Sequence, residues 1–85
     1  MKEIVLKRLR EEAYKASYAW CCMCDAKEED MKEAMKDSWR EHREARWLCW
    51  ELLEAAGIGK EDLWNIEDEE TERAHEDYDK EVYHV

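Results

Sequence analysis

The chain contains no proline, and its two glycines, Gly57 and Gly59, are separated by a single residue. A β-rich chain needs turn residues every ~8–12 positions. One point of punctuation in 85 residues therefore restricts the fold to long helices. Charged residues make up 45% of the chain, a level that disordered segments also reach. An equal share of hydrophobic residues, with five Trp and four Tyr, argues for a packed core instead. That core is thin, because a chain of this size buries only about 60–65% of its unfolded surface. Aromatic side chains offset this, each covering a large area.

The apolar spacing resolves three helices, at about 2–24, 26–56 and 60–83. In the first, Val5, Leu6, Leu9, Ala13, Ala16, Trp20 and Met23 recur every three or four residues on one face. Ile4, Tyr14, Tyr18, Cys21 and Cys22 form a second apolar face, as expected of a helix contacted from two sides. In the second helix Met31, Met35, Trp39, His42, Ala45, Cys49, Leu52, Leu53 and Ala56 share one arc. Residues 25–30 interrupt the seam and offer two capping boxes, Asp25 with Glu28 and Asp30 with Glu33. They place a tight turn here, so the second helix starts at about 26 or 31. A continuous rod through residue 56 would need a partner seam along its length.

The second helix ends at Gly57. Glycine takes the left-handed conformation at little cost, and Ile58 can then pack back on Leu53. Gly59 can cap the third helix, whose first turn places Glu61 and Asp62 at the positive end of the dipole. There Leu63, Trp64, Thr71, Ala74, Tyr78, Val82 and Val85 form one stripe. Glu61, Asp68, Glu69, Glu72, Glu76 and Asp79 lie opposite, and Asp68-Glu69-Glu70 is a candidate kink. The expectation is an all-α fold: an antiparallel helical hairpin plus a docked third helix, a three-helix bundle, in one domain over residues 1–85.

The charge is lopsided. Residues 1–60 hold 13 acidic against 12 basic residues, whereas residues 61–85 hold 11 acidic residues against Arg73 and Lys80. Nearly all of the formal charge of −10 thus lies in the third helix. Such asymmetry bears on partners rather than on fold. Asp68, Glu72, Glu76 and Asp79 step by three or four residues, so their stems lie roughly 5–6 Å apart. A phosphate recurs every ~3.4 Å of axis along each strand of duplex DNA, a spacing of similar order. A row of carboxylates on a rigid helix can therefore occupy a groove lined by Lys and Arg. The plainer alternative is a solvated face that keeps a small protein soluble.

Four cysteines, Cys21, Cys22, Cys24 and Cys49, match the number of ligands in a structural zinc site. A hairpin turning near residue 26 places Cys49 roughly 30 Å from the other three, so the expectation is small buried hydrophobes and no metal. His42 falls within the second helix's arc, as a core histidine with a tyrosine or backbone partner. His75 and His84 read as exposed. Trp47 and Leu48 lie off the main arc, with Trp50 at its edge. Trp47 is either packed on the third helix or the N-terminus, or an exposed aromatic anchor.

Residues 1–8 carry no uninterrupted apolar region of the secretory kind, and no apolar run approaches the ~18 residues of a membrane span. The expected setting is cytoplasmic, with reduced thiols. Phosphate repels so acidic a chain, and no phosphate-cradling glycine loop or catalytic triad spacing is present, so neither direct nucleic-acid binding nor catalysis is expected. No cofactor is implied.

These features point to a non-catalytic binding module. Asp68, Glu69, Glu72, Glu76, Asp79 and Trp47 would engage a basic, nucleic-acid-binding surface of a partner protein. In type it resembles phage or mobile-element inhibitors of host defence, such as anti-CRISPR and anti-restriction proteins. The alternative is a homodimeric or larger homo-oligomeric bundle in which the acidic helix is a solubilising edge.

Overall fold

The structure is a computed structural model and describes residues 1–83. Three helices follow in order: α1 (Lys2–Asp25), α2 (Glu29–Ala55) and α3 (Lys60–Tyr83). α1 is the central element, and both other helices pack on it. α2 returns antiparallel to α1. α3 runs parallel to α1, since its contacts advance along both helices, from Arg10 with Glu69 to Tyr18 with Glu81. The chain is thus the expected all-α three-helix bundle.

The core has two parts. Where α1 starts and α2 ends, Leu9, Cys49, Leu53 and Leu63 form one cluster, surrounded by Val5, Leu6, Trp50, Ile58 and Ile66. Farther along α1 the buried residues shrink to Ala13, Ala16 and Ala19, with Ala74 and Tyr78 from α3. Alanine favours the helix and lets neighbouring backbones come close. A narrow alanine surface also narrows the arc that partner helices can bury. Several residues of the expected arcs lie outside the buried set: Trp20, Met31, Leu52, Trp64 and Val82 are exposed. Val85 and His84 lie outside the described residues.

The end of α2 follows its sequence. Gly57 adopts φ +95°, and its amide donates to the Glu54 carbonyl at 3.0 Å. The Ile58 amide donates to the Leu53 carbonyl at 3.0 Å, closing a Schellman turn. The Leu63 amide reaches the Gly59 carbonyl at 3.3 Å, at the start of α3.

The α1–α2 turn falls where expected but uses neither capping box. Asp25 ends α1, Ala26 is extended, and Glu28 is the N-cap of α2 with no side-chain bond to the helix. Asp25 is diverted by tertiary structure: its carboxylate accepts the Tyr78 hydroxyl at 2.7 Å. The suspected kink at Asp68-Glu69-Glu70 is likewise absent, and α3 continues through it. Glu70 is buried, with its carboxylate 3.0 Å from Arg73 and 3.8 Å from Arg10, so the local acidic repulsion is relieved.

Candidate protein-interaction site

α3 divides its carboxylates between two tasks. The inner set docks the helix on α1. Asp77 accepts the Tyr14 hydroxyl at 2.6 Å, and Glu81 accepts the Tyr18 hydroxyl. Ser17, between the two tyrosines on α1, joins its hydroxyl to that of Thr71 at 3.0 Å. Arg73 completes the layer, stacking over the Tyr14 ring at 4.3 Å. Both phenols are held in the neutral donor form. The hydrogen bond to Asp77, then burial, raises Tyr14 from 10.0 to about 12. The bond to Glu81, then burial, raises Tyr18 to about 12 as well.

The outer set faces solvent. Asp68, Glu72, Glu76 and Asp79 are all exposed, and among the described residues no cation pairs with any of them. Glu69 is exposed but differs, because Arg10 reaches it at 3.0 Å and offsets its charge. The four unpaired carboxylates span Asp68 to Asp79, about 16 Å of helix at 1.5 Å per residue.

Beside this face runs an aromatic groove between α2 and α3. Trp20 and Trp39 meet at its far end, with ring centroids 5.1 Å apart. The Arg43 guanidinium lies 4.7 Å from the Trp39 ring and 4.8 Å from the Trp47 ring. Among the described residues its buried Nε has no hydrogen-bond partner, and its guanidinium lies over both indoles. At the near end Trp50 and Trp64 meet at 90°, with centroids 5.7 Å apart. Glu67 accepts the Trp50 indole N–H at 2.7 Å, and its same oxygen lies 3.0 Å from Arg46 Nε as an ion pair. Trp47 is 53% exposed on this groove, so it does not pack away against α3, and Leu48 is exposed as well.

Between α1 and α2, Glu12 is buried and doubly held. Arg8 Nε pairs with one carboxylate oxygen at 2.9 Å and His42 Nδ1 meets the other at 2.5 Å. The partner of His42 is thus a carboxylate, not the tyrosine or backbone group expected. Helical spacing within α2 carries no information about which α1 residue lies opposite. His75 is exposed, as its position suggests.

The cysteines do not behave alike. Cys49 is buried, Cys21 and Cys22 are half-buried, and Cys24 is exposed, against the expectation of four buried thiols. Burial raises the thiol pKa of Cys21, Cys22 and Cys49 above the ordinary value. Cys49 packs with Leu9, on the order of 20 Å along α1 from the other cysteines, less than the distance expected. Among the described residues, no three His, Cys, Asp or Glu side chains converge as metal ligands.

The near end of the groove is a site that sequence inspection did not assemble. Its signal was present: Trp47, Trp50, Glu51 and Glu54 follow an i, i+3, i+4, i+7 spacing and so share a helix face. What the spacing could not supply was Trp64, which α3 brings across to Trp50. No helix among the described residues is long and apolar enough to cross a membrane. Comparison with protein-family models, curated proteins and solved structures finds no match to this chain.

Proposed function

We propose that the chain is a non-catalytic inhibitor or adaptor that occupies a basic, nucleic-acid-binding surface of a partner protein. The observation that carries this reading is the division of labour on α3. Inner carboxylates fix the helix to α1, while Asp68, Glu72, Glu76 and Asp79 stand exposed and, among the described residues, without ion-pair partners. A docked helix presents its charges in a fixed row, as a nucleic-acid backbone does. Such a row competes with phosphates for Lys and Arg. Aromatic contact from Trp47 adds affinity at the edge of the row. The same chemistry serves phage and mobile-element proteins of the anti-CRISPR or anti-restriction type, in a cytoplasmic setting.

The test compares the native chain with the Glu72→Lys/Glu76→Lys/Asp79→Lys variant as immobilised baits in extract of the source cell. The native chain should retain a basic nucleic-acid-binding protein, and added DNA or RNA should displace it. The variant should keep its helical circular dichroism and lose that protein. Equal retention by both baits overturns the proposal.

A second reading is a homo-oligomeric bundle. It is favoured by the exposed Leu48 and Leu52, and by an apolar cavity lined by Met1, Val5, Leu53 and Ala56 beside Leu52. Light scattering on the same two proteins separates the readings, since a strict monomer at high concentration excludes the second.

A further inference from the structure

The near end of the tryptophan groove is an open cavity of about 500 Å³, lined by Arg46, Trp47, Trp50, Glu51, Glu54, Trp64 and Glu67. We propose that this cavity is a cage for one protonated arginine or lysine side chain of a basic protein. It rests on the reading of the chain as a binder of such a protein, and it names the pocket that takes the partner's anchoring residue.

Three observations converge on a cation. Trp50 and Trp64 stand at 90° to each other, so their indoles form two adjoining walls, and Trp47 supplies a third. Indole faces carry the negative end of the ring quadrupole and attract ammonium and guanidinium groups. The protein already uses its tryptophans in this way, holding Arg43 within 5 Å of both Trp39 and Trp47. The charged groups around the cavity are then decisive. Arg46 is neutralised by Glu67 at 3.0 Å, while Glu51 and Glu54 are exposed and without ion pairs among the described residues. The lining residues therefore carry two uncompensated carboxylates, against the cation Arg43 that lies over Trp47 outside the lining, which disfavours a phosphate or a carboxylate as occupant. Its α3 lining ends at Glu67, the residue before Asp68, where the acidic row begins. A partner chain whose Lys and Arg side chains lie on that row is in position to insert one of them.

The test titrates N-acetylarginine amide into the isotope-labelled full chain and follows the five indole N–H signals by NMR. Its control ligand is N-acetylcitrulline amide, which has the same shape without the charge. The signals of Trp47, Trp50 and Trp64 should shift saturably, with those of Trp20 and Trp39 still. The citrulline amide should bind more weakly by roughly threefold or more. Trp64→Ala removes an exposed ring, and Glu51→Gln/Glu54→Gln removes the charge without touching the walls. Each should weaken arginine binding by roughly threefold. Equal binding of the two amides overturns the cage, as do equal shifts at all five indoles. Loss of arginine binding by the Glu72→Lys/Glu76→Lys/Asp79→Lys variant overturns it too, since that variant leaves the cavity intact. If the arginine amide fails while that variant still loses its captured protein, the cage is wrong and the acidic row stands. If the amide binds while capture survives the reversal, the acidic row is wrong and the cage stands.

Discussion

The two seams of the bundle combine apolar burial and hydrogen bonding in different proportions. Between α1 and α2 the closing contacts are Leu9 with Cys49 and Leu53, with Ala16 and Ala19 buried farther along α1. Between α1 and α3 they are Tyr14 with Asp77, Tyr18 with Glu81 and Ser17 with Thr71. The difference follows from composition. α3 has few cations of its own, and most of the basic residues lie elsewhere in the chain. Two of its inner carboxylates, Asp77 and Glu81, are therefore held by neutral hydroxyls, which avoids the desolvation of a full ion pair, while Glu67 and Glu70 take arginines. Buried area contributes to both seams, with Leu63, Ala74 and Tyr78 from α3, and the hairpin has its own directed contact in Glu12 with His42; the row of hydroxyl bonds is what distinguishes the acidic helix.

The sharpest break in this comparison is Leu53→Ala. It removes a fully buried side chain from the cluster that α1, α2 and α3 share at one end. The expected loss is about 2–5 kcal/mol of global stability in urea denaturation. In a bundle this small, that is much of the total. Tyr14→Phe/Tyr18→Phe should do less, costing about 1 kcal/mol per lost bond, reduced by their partial exposure. Its effect should also be local: hydrogen exchange in α3 should quicken while α2 is little changed. Uniform acceleration across all three helices would show that the seams are not separable.

The smallest effect is alkaline. Each phenol titrates at an ordinary 10.0 when unfolded and near 12 when folded, so the folded state favours the protonated form. The stability this contributes is whole below pH 10 and is lost as pH rises towards 12. Ultraviolet titration of tyrosinate alongside circular dichroism should show α3 loosening in that window. The double phenylalanine variant should lack this part of the response.

Much of this was legible in the sequence, for a physical reason. Helix ends depend on local chemistry, so Gly57 with Ile58 located the end of α2 and the start of α3. Helix faces depend on spacing, so Leu63, Ala74 and Tyr78 were placed inward correctly. The failures are tertiary. Asp25 reads as a cap but is claimed by Tyr78, and Glu70 reads as repulsive but sits between Arg10 and Arg73. Leu52 and Met31 fall on the apolar arc of α2 by spacing but are exposed, because spacing alone does not fix how wide an arc the neighbouring helices cover. The pairing of Trp50 with Trp64 depends on how two helices are rotated about α1, which neither helix encodes alone.

The tyrosine latches have a consequence for reversibility. Salt screens ion pairs far more than it weakens a bond from an uncharged hydroxyl. Raising ionic strength should therefore strip the outer row from a basic partner while leaving α3 seated on α1. Salt also eases the mutual repulsion of the outer carboxylates, so the released helix is, if anything, steadier. On the proposed function, release and unfolding would thereby be uncoupled, so that a protein acting in this way would let go of its target intact and bind again.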